Sequence, residues 1–313
     1  MNEAFKQDVD KGLSSSPKQL LSKYFYDEIG DDLFVQIMNM PEYYLTNSEY
    51  EIFTEQAQDI INAFDVTNEP LELIELGAGD GTKTIELLKM LQTKADFTYI
   101  PIDISQHALD TLSRRLAKEL PNINVRPIQG DYFSVLEDIK EHTARKVILF
   151  LGSNIGNMLD HNARRFITQL SEQLNPKDKI LLGVDLKKEA SIILPAYNDA
   201  QGITAAFNLN LLTRINKELG GNFDVSKFKH APVYNEKEGM AESYIVSTAA
   251  QDVTITATGK TYHFDEGERI HMEISRKYDA DVVNDIISDT GLYIKQKFTD
   301  SKDYYADFLL EMK

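Results

Sequence analysis

Apolar and polar positions change their rhythm twice along this chain. Up to about residue 63, Leu20, Leu21, Tyr24 and Phe25, then Leu33, Phe34, Ile37 and Met38, recur at the spacing of amphipathic helices, with a break at Pro41. The cluster Ser14-Ser15-Ser16-Pro17 ahead of them reads as a loop, so packed order is expected to begin near Pro17. From Leu71 the texture becomes short apolar runs, each followed by a helix-length stretch. Strands are predicted at 71–76, 97–102, 124–128, 146–151 and 179–186, and helices at 83–91, 105–120, 132–139 and 161–174. Five strands joined by helical crossovers predict a parallel, doubly wound α/β sheet.

Beyond Pro195 the alternation stops. Residues 205–219 read as one helix ended by Gly220-Gly221, followed by strand-like 243–248 and 253–258. After a helix over 280–288, the segments 292–298 and 304–310 predict a hairpin that completes the edge of the first sheet. The chain therefore divides into a sheet domain, 62–194 with 285–313, and a second, inserted α+β domain, 1–61 with 195–284.

Composition narrows the chemistry. Among 313 residues there is no cysteine, which excludes disulfides, thiolate metal sites and a catalytic thiol. The formal net charge of -17 repels polyanions, so nucleic acid is not expected as a substrate. Six scattered histidines form no ligand cluster, so no metal is expected. The first eight residues have neither a basic start nor an apolar core, and no run approaches the roughly 18 apolar residues of a membrane span. A cytoplasmic protein acting on a small molecule is the expectation; oligomeric state is not legible.

The strand at 71–76 runs into Glu75-Leu76-Gly77-Ala78-Gly79-Asp80-Gly81 and then a helix. Glycines at such a turn let backbone N–H groups approach a ligand closely. A dinucleotide loop needs glycine at 82, and a phosphate loop needs one there too; Thr82 breaks both patterns. What remains, Glu75-x-Gly77-x-Gly79-x-Gly81, resembles the first motif of class I methyltransferases, which packs against the amino-acid end of S-adenosylmethionine. Asp103 ends the second strand, where such folds place the carboxylate that accepts both ribose hydroxyls. Gly130-Asp131-Tyr132 follows the third strand, where groups cover the adenine. Taken alone, Asp103 could equally cap the helix near Ser105, and Asp131 could simply shape a turn.

Several further segments stand out: Tyr24-Phe25-Tyr26-Asp27, Pro41-Glu42-Tyr43-Tyr44-Leu45-Thr46, Gly152-Ser153-Asn154-Ile155-Gly156-Asn157, Ala205-Ala206-Phe207-Asn208 and Glu273-Ile274-Ser275. With the glycine loop they make the chain, from about Tyr24 to Leu310, resemble the histidine Nα-methyltransferases of ergothioneine biosynthesis. That resemblance implies a class I, Rossmann-like methyltransferase domain with a second domain that binds substrate, and trimethylation of free L-histidine on its α-amine. It implies that Asn157 and Tyr197 hold the substrate carboxylate, that Gly152 lines the amine end, that Glu273 and Ser275 bind the imidazole, and that Tyr43 reaches the substrate side chain. On the cofactor side it implies Tyr26, Gly77, Gly79, Lys83, Asp103, Asp131 and Tyr132.

The residues themselves are compatible with these roles. Glu273 and Ser275, two apart, would project from one face of a strand, and a carboxylate with a hydroxyl suits a ring with two nitrogens. Tyr43 and Tyr197 would otherwise be core or interface residues, and Asn157 could cap a following helix. Ser243 stands where relatives often carry methionine beside the substrate, and Asn154 where Ser or Thr is usual. Another amino acid or an aromatic amine is therefore an alternative acceptor, and a non-catalytic sensor of S-adenosylmethionine an alternative of a different kind. No general base is assigned.

Overall fold

The computed structural model describes residues 3–67, 69–131, 134 and 144–313. The chain forms two compact units, Tyr44–Lys187 with Arg276–Lys313, and Met1–Tyr43 with Lys188–Ser275. The divisions expected after 61, 194 and 284 thus fall at 43, 187 and 275. The first shift has a plain cause: helices Tyr44–Glu55 and Ala57–Ala63 pack on Thr84–Leu91, and the former also on strand Tyr305–Met312, all of the sheet unit.

The sheet unit is built on strands in the order Leu292–Thr299, Tyr305–Met312, Lys179–Asp185, Arg145–Phe150, Leu71–Leu76, Phe97–Asp103 and Asn124–Val125. The strands from Lys179–Asp185 to Asn124–Val125 pair in parallel. The terminal hairpin adds antiparallel to Lys179–Asp185, as expected. The third predicted strand is split at Pro127, which lacks a ladder donor, and its second half, Ile128–Gln129, also pairs with Phe97–Asp103. The predicted helix 132–139 lies outside the described residues but for Ser134. Ile74, Ile100, Ile148, Ile180 and Phe308, all fully or almost fully buried, run across the middle of the sheet as one core. Such doubly wound sheets bind ligands where the strand order reverses, here beyond the C-terminal ends of Leu71–Leu76 and Arg145–Phe150. This is the class I methyltransferase arrangement.

The other unit has a sheet of Lys18–Gln19, Arg269–Arg276, Met240–Ser247 and Phe228–Asn235, with the hairpin Gln251–Ile255 and Lys260–Phe264. Helix Ile203–Leu219 fills its core with Phe207, Leu211, Leu212 and Ile215, and Gly220 ends it at φ +65°. Two expectations fail here. Order begins before Pro17: Glu3–Leu13 is a helix burying Phe5, Val9 and Leu13, a stripe of three apolar residues at four-residue spacing too sparse to stand out. Residues 20–25 do not form an α-helix either. Lys18–Gln19 pairs in parallel with Ile270 and His271, and a single 3-10 turn, Ser22–Tyr24, follows. Among the described residues no helix is long and apolar enough to cross a membrane.

Candidate active site

The glycine loop leaves its strand with Gly77, Gly79 and Gly81 all at positive φ. The Gly77 and Ala78 amides donate to the Ile102 carbonyl at 2.8 and 3.2 Å, which folds the loop over the neighbouring strand. That brings the Gly79 amide to Asp103 Oδ2 at 2.9 Å, while Oδ1 accepts the Ser105 N–H at 2.9 Å. Burial raises the Asp103 carboxyl and these backbone donors counter it. The helix cap belongs to Ser105, whose Oγ accepts the Ala108 N–H at 3.1 Å, so Asp103 is turned toward the loop instead. A Cβ built on Gly79 meets nothing within 4 Å, whereas one on Gly81 would lie 2.3 Å from Leu112 Cδ1. The loop is thus tight below and open above, and a strand-end carboxylate lies beside the opening, which fits a nucleoside with an extended amino-acid tail.

Thr82, which breaks both nucleotide patterns, has a structural task. Its N–H and hydroxyl donate to Asp80 at 3.0 and 2.7 Å, and its oxygen accepts from Arg115 at 2.7 Å. Beneath the loop Glu75 is buried, accepting the Thr84 hydroxyl at 2.6 Å and the Tyr99 hydroxyl. Burial pushes its carboxyl up to about 7 despite those donors.

Across the switch point, Gly152 and Ser153 take φ of +67° and +57° at the end of strand Arg145–Phe150. The Asp185 amide donates to Ser153 Oγ at 3.0 Å, and a Cβ on Gly156 would sit 2.8 Å from the Arg276 carbonyl oxygen. Asn157 is exposed at the end of this turn and does not cap the next helix, which begins at Asp160 behind Leu159. Asp131 is exposed, with its carboxylate accepting the Ser134 N–H at 3.2 Å. Tyr132 lies outside the described residues.

Apart from Lys83, the remaining assigned residues belong to the other unit, in two groups. Tyr26 and Tyr43 both meet Phe34 edge-on, with ring centroids 5.5 and 6.4 Å away. Tyr197 closes helix Ala190–Tyr197, and its hydroxyl donates to Ser275 Oγ at 2.8 Å. Glu273 is half-buried two residues before, on strand Arg269–Arg276. Burial alternates as far as Glu273 and then stops, with Ile274, Ser275 and Arg276 all buried. Ser243 is buried on the adjacent strand, opposite Pro232.

Three groups at the C-terminal ends of the sheet strands were not anticipated. Asp185 and Lys277 are a fully buried ion pair at 2.7 Å, with the Tyr44 hydroxyl donating to both carboxylate oxygens at 2.8 and 2.9 Å. Glu49 is fully buried and paired with Lys83. A signal for Glu49 existed: it occupies the inward stripe Leu45, Ser48, Glu49, Ile52, Phe53 of its helix, where a carboxylate needs a partner.

The profile of the family described as "Histidine-specific methyltransferase, SAM-dependent" matches residues 5–312. Histidine N-alpha-methyltransferase of Mycolicibacterium smegmatis is 36% identical over 299 residues, covering 95% of this chain and 92% of its own. The protein of the same name from Mycobacterium tuberculosis is 34% identical over 298 residues, covering 95% and 91%. Ergothioneine biosynthesis protein 1 of Schizosaccharomyces pombe is 28% identical over 300 residues, which are 93% of this chain and 39% of that longer one.

Proposed function

The chain belongs to the histidine-specific, S-adenosylmethionine-dependent methyltransferases, and on that footing we propose that it methylates the α-amine of free L-histidine, ending at the trimethylated betaine. The observation that carries this reading is 36% identity, over nearly the full length of both chains, to a histidine N-alpha-methyltransferase. The methyl donor is S-adenosylmethionine, whose sulfonium supplies a methyl group already activated for transfer to an amine.

The chain's own residues have two tasks, to orient and to exclude water. Asp103 and the amides of the glycine loop hold the donor's nucleoside and tail, and Lys83 is assigned to its amino-acid end. Asn157 and Tyr197 are assigned to the histidine carboxylate, Gly152 to the amine end, and Glu273, Ser275 and Tyr43 to the side chain. Each of the first two transfers requires the amine to shed a proton, after which the tertiary amine attacks once more and ends as a fixed cation.

Mass spectrometry of a reaction with S-adenosylmethionine and histidine tests this directly. Additions of one, two and three methyl groups are expected; a series stopping at one or two would overturn the betaine end point, and none at saturating histidine would overturn the acceptor. Ser243, where relatives often carry methionine, favours a second reading, another amino acid as acceptor. A panel of free amino acids separates the two.

A further inference from the structure

Behind the Gly152 turn lies a polar cluster whose two carboxyl groups, Glu49 and Asp307, none of these roles uses. Glu49 is fully buried, and its Oε1 accepts the Gly152 amide at 2.9 Å and the Tyr305 hydroxyl at 2.7 Å. Oε2 lies 3.2 Å from the same amide and is bound by the Lys83 ammonium. Strand Lys179–Asp185 passes directly against this group at Gly183. A Cβ there would come within 2.5 Å of Glu49 Oε1, 2.7 Å of the Tyr305 hydroxyl and 2.9 Å of Asp307 Oδ1, so only glycine leaves room for the three.

A second carboxyl lies in the cluster. Asp307 is fully buried, and neither of its oxygens has a hydrogen-bond partner among the described residues. Burial, and then the Glu49 charge, hold its carboxyl well above the usual carboxylate range. Burial alone would depress the Lys83 ammonium, but the charge and hydrogen bond of Glu49 outweigh it and raise it. The Glu49 carboxylate and the Lys83 ammonium form the ion pair at the centre of the cluster.

A buried ion pair is poor evidence of added stability, because desolvation offsets the attraction. Its geometry is more informative. One carboxylate grips the residue that starts the helix after the glycine loop and the amide that starts the turn across the switch point. We propose that Glu49 is a positioning residue for methyl transfer, fixing the Lys83 ammonium and the Gly152 amide in one frame and so setting the donor's tail against the acceptor amine. The proposal rests on the reading of Lys83 as a cofactor contact and Gly152 as the amine end.

Glu49→Gln keeps the size and one acceptor oxygen but removes the negative charge that faces the Lys83 ammonium. It should weaken binding of S-adenosylhomocysteine, measured by calorimetry, by about 10-fold or more, and lower kcat by up to about 100-fold, the cost of a misplacement near 1 Å. The decisive readout is a double-mutant cycle with Lys83→Met. If Glu49 acts through Lys83, E49Q should cost little further S-adenosylhomocysteine affinity in the K83M chain; additive losses, or unchanged Kd and kcat in E49Q alone, overturn the proposal. Should E49Q not fold, Tyr305→Phe removes one anchor of the carboxylate without touching a charge. It should weaken S-adenosylhomocysteine several-fold in the wild-type background and not in K83M, and an equal loss in both overturns the proposal. S-adenosylhomocysteine binding needs no acceptor, so a wrong acceptor leaves this coupling intact while histidine methylation fails.

Discussion

Tyr197 and Ser275 are hydrogen-bonded to each other, the tyrosine hydroxyl donating to the serine oxygen at 2.8 Å with both side chains buried. The backbone carbonyl of the same tyrosine is held by His230 Nε2 at 2.9 Å. Family resemblance assigns Tyr197 to the histidine carboxylate and Ser275 to its ring, and the two also satisfy one another. A buried hydroxyl pair of this kind avoids the cost of unpaired polar groups, and a ligand exchanges one set of bonds for another.

Tyr197→Phe removes the donor while keeping the ring. KM for histidine should rise by about 10-fold or more, the worth of a hydrogen bond to a charged group, with S-adenosylhomocysteine binding held within about 2-fold. Steady-state kinetics and calorimetry read the two sides separately, and a similar loss on both would remove Tyr197 from the substrate.

Glu273→Ala should separate the two ligands more sharply. Histidine affinity is expected to fall by about 10-fold or more and the cofactor product to bind as before. Equal losses measured by calorimetry contradict its assignment to the imidazole.

Asp103→Ala should act on the other ligand. Its two oxygens are held by Gly79 and Ser105, and charged acceptors of this kind are worth about 1.5–3 kcal/mol, so S-adenosylhomocysteine affinity should drop by about 10- to 100-fold. An unchanged Kd would mean that the carboxylate only shapes the loop.

Two alanine substitutions in the glycine loop should differ in stability. At Gly79 only the left-handed backbone opposes a side chain, a cost of about 1 kcal/mol, because nothing lies within 4 Å. At Gly81 the added methyl also meets Leu112 at 2.3 Å, which adds about 1–3 kcal/mol. Denaturant midpoints of G79A and G81A give the comparison, and the reverse order would show the loop packed differently.

Glu75 supplies a pH dependence. Its carboxyl titrates at about 7 in the folded chain against 4.5 ordinarily, so the folded state favours the protonated form. The stability it contributes is complete below pH 4.5 and is lost as pH rises through about 7. Glu75→Gln is neutral throughout, so its stability relative to wild type should improve by about 3 kcal/mol between pH 4.5 and pH 8. Parallel pH curves for the two chains would falsify this.

The central sheet was legible because its buried strands hold short apolar runs; Leu71–Leu76 keeps apolar residues at all positions but Glu72 and Glu75, and Arg145–Phe150 ends in the unbroken run 147–150. Helix Glu3–Leu13 was not legible, since Phe5, Val9 and Leu13 are few and the rest of it is polar. Leu20 to Phe25 has helical spacing, yet Lys18 and Gln19 pair with a strand some 250 residues later in the chain, a partner no local pattern can announce. The glycine turn after Leu71–Leu76 and the position of Asp103 at the end of the next strand were readable from spacing along one strand-turn-helix-strand unit. Glu49, Lys83, Gly152 and Tyr305 meet only because the sheet brings four distant segments together, so their joint role needed coordinates.

Asp103 has its two oxygens pinned by the protein itself, one by Gly79 and one by Ser105. A carboxylate so tethered cannot swing aside. A vicinal diol can donate to it, but a nucleotide carrying phosphate on that sugar edge would bring like charge against a group with nowhere to retreat. If Asp103 takes the methyl donor's sugar, the same tether would make it a barrier to phosphorylated nucleotides.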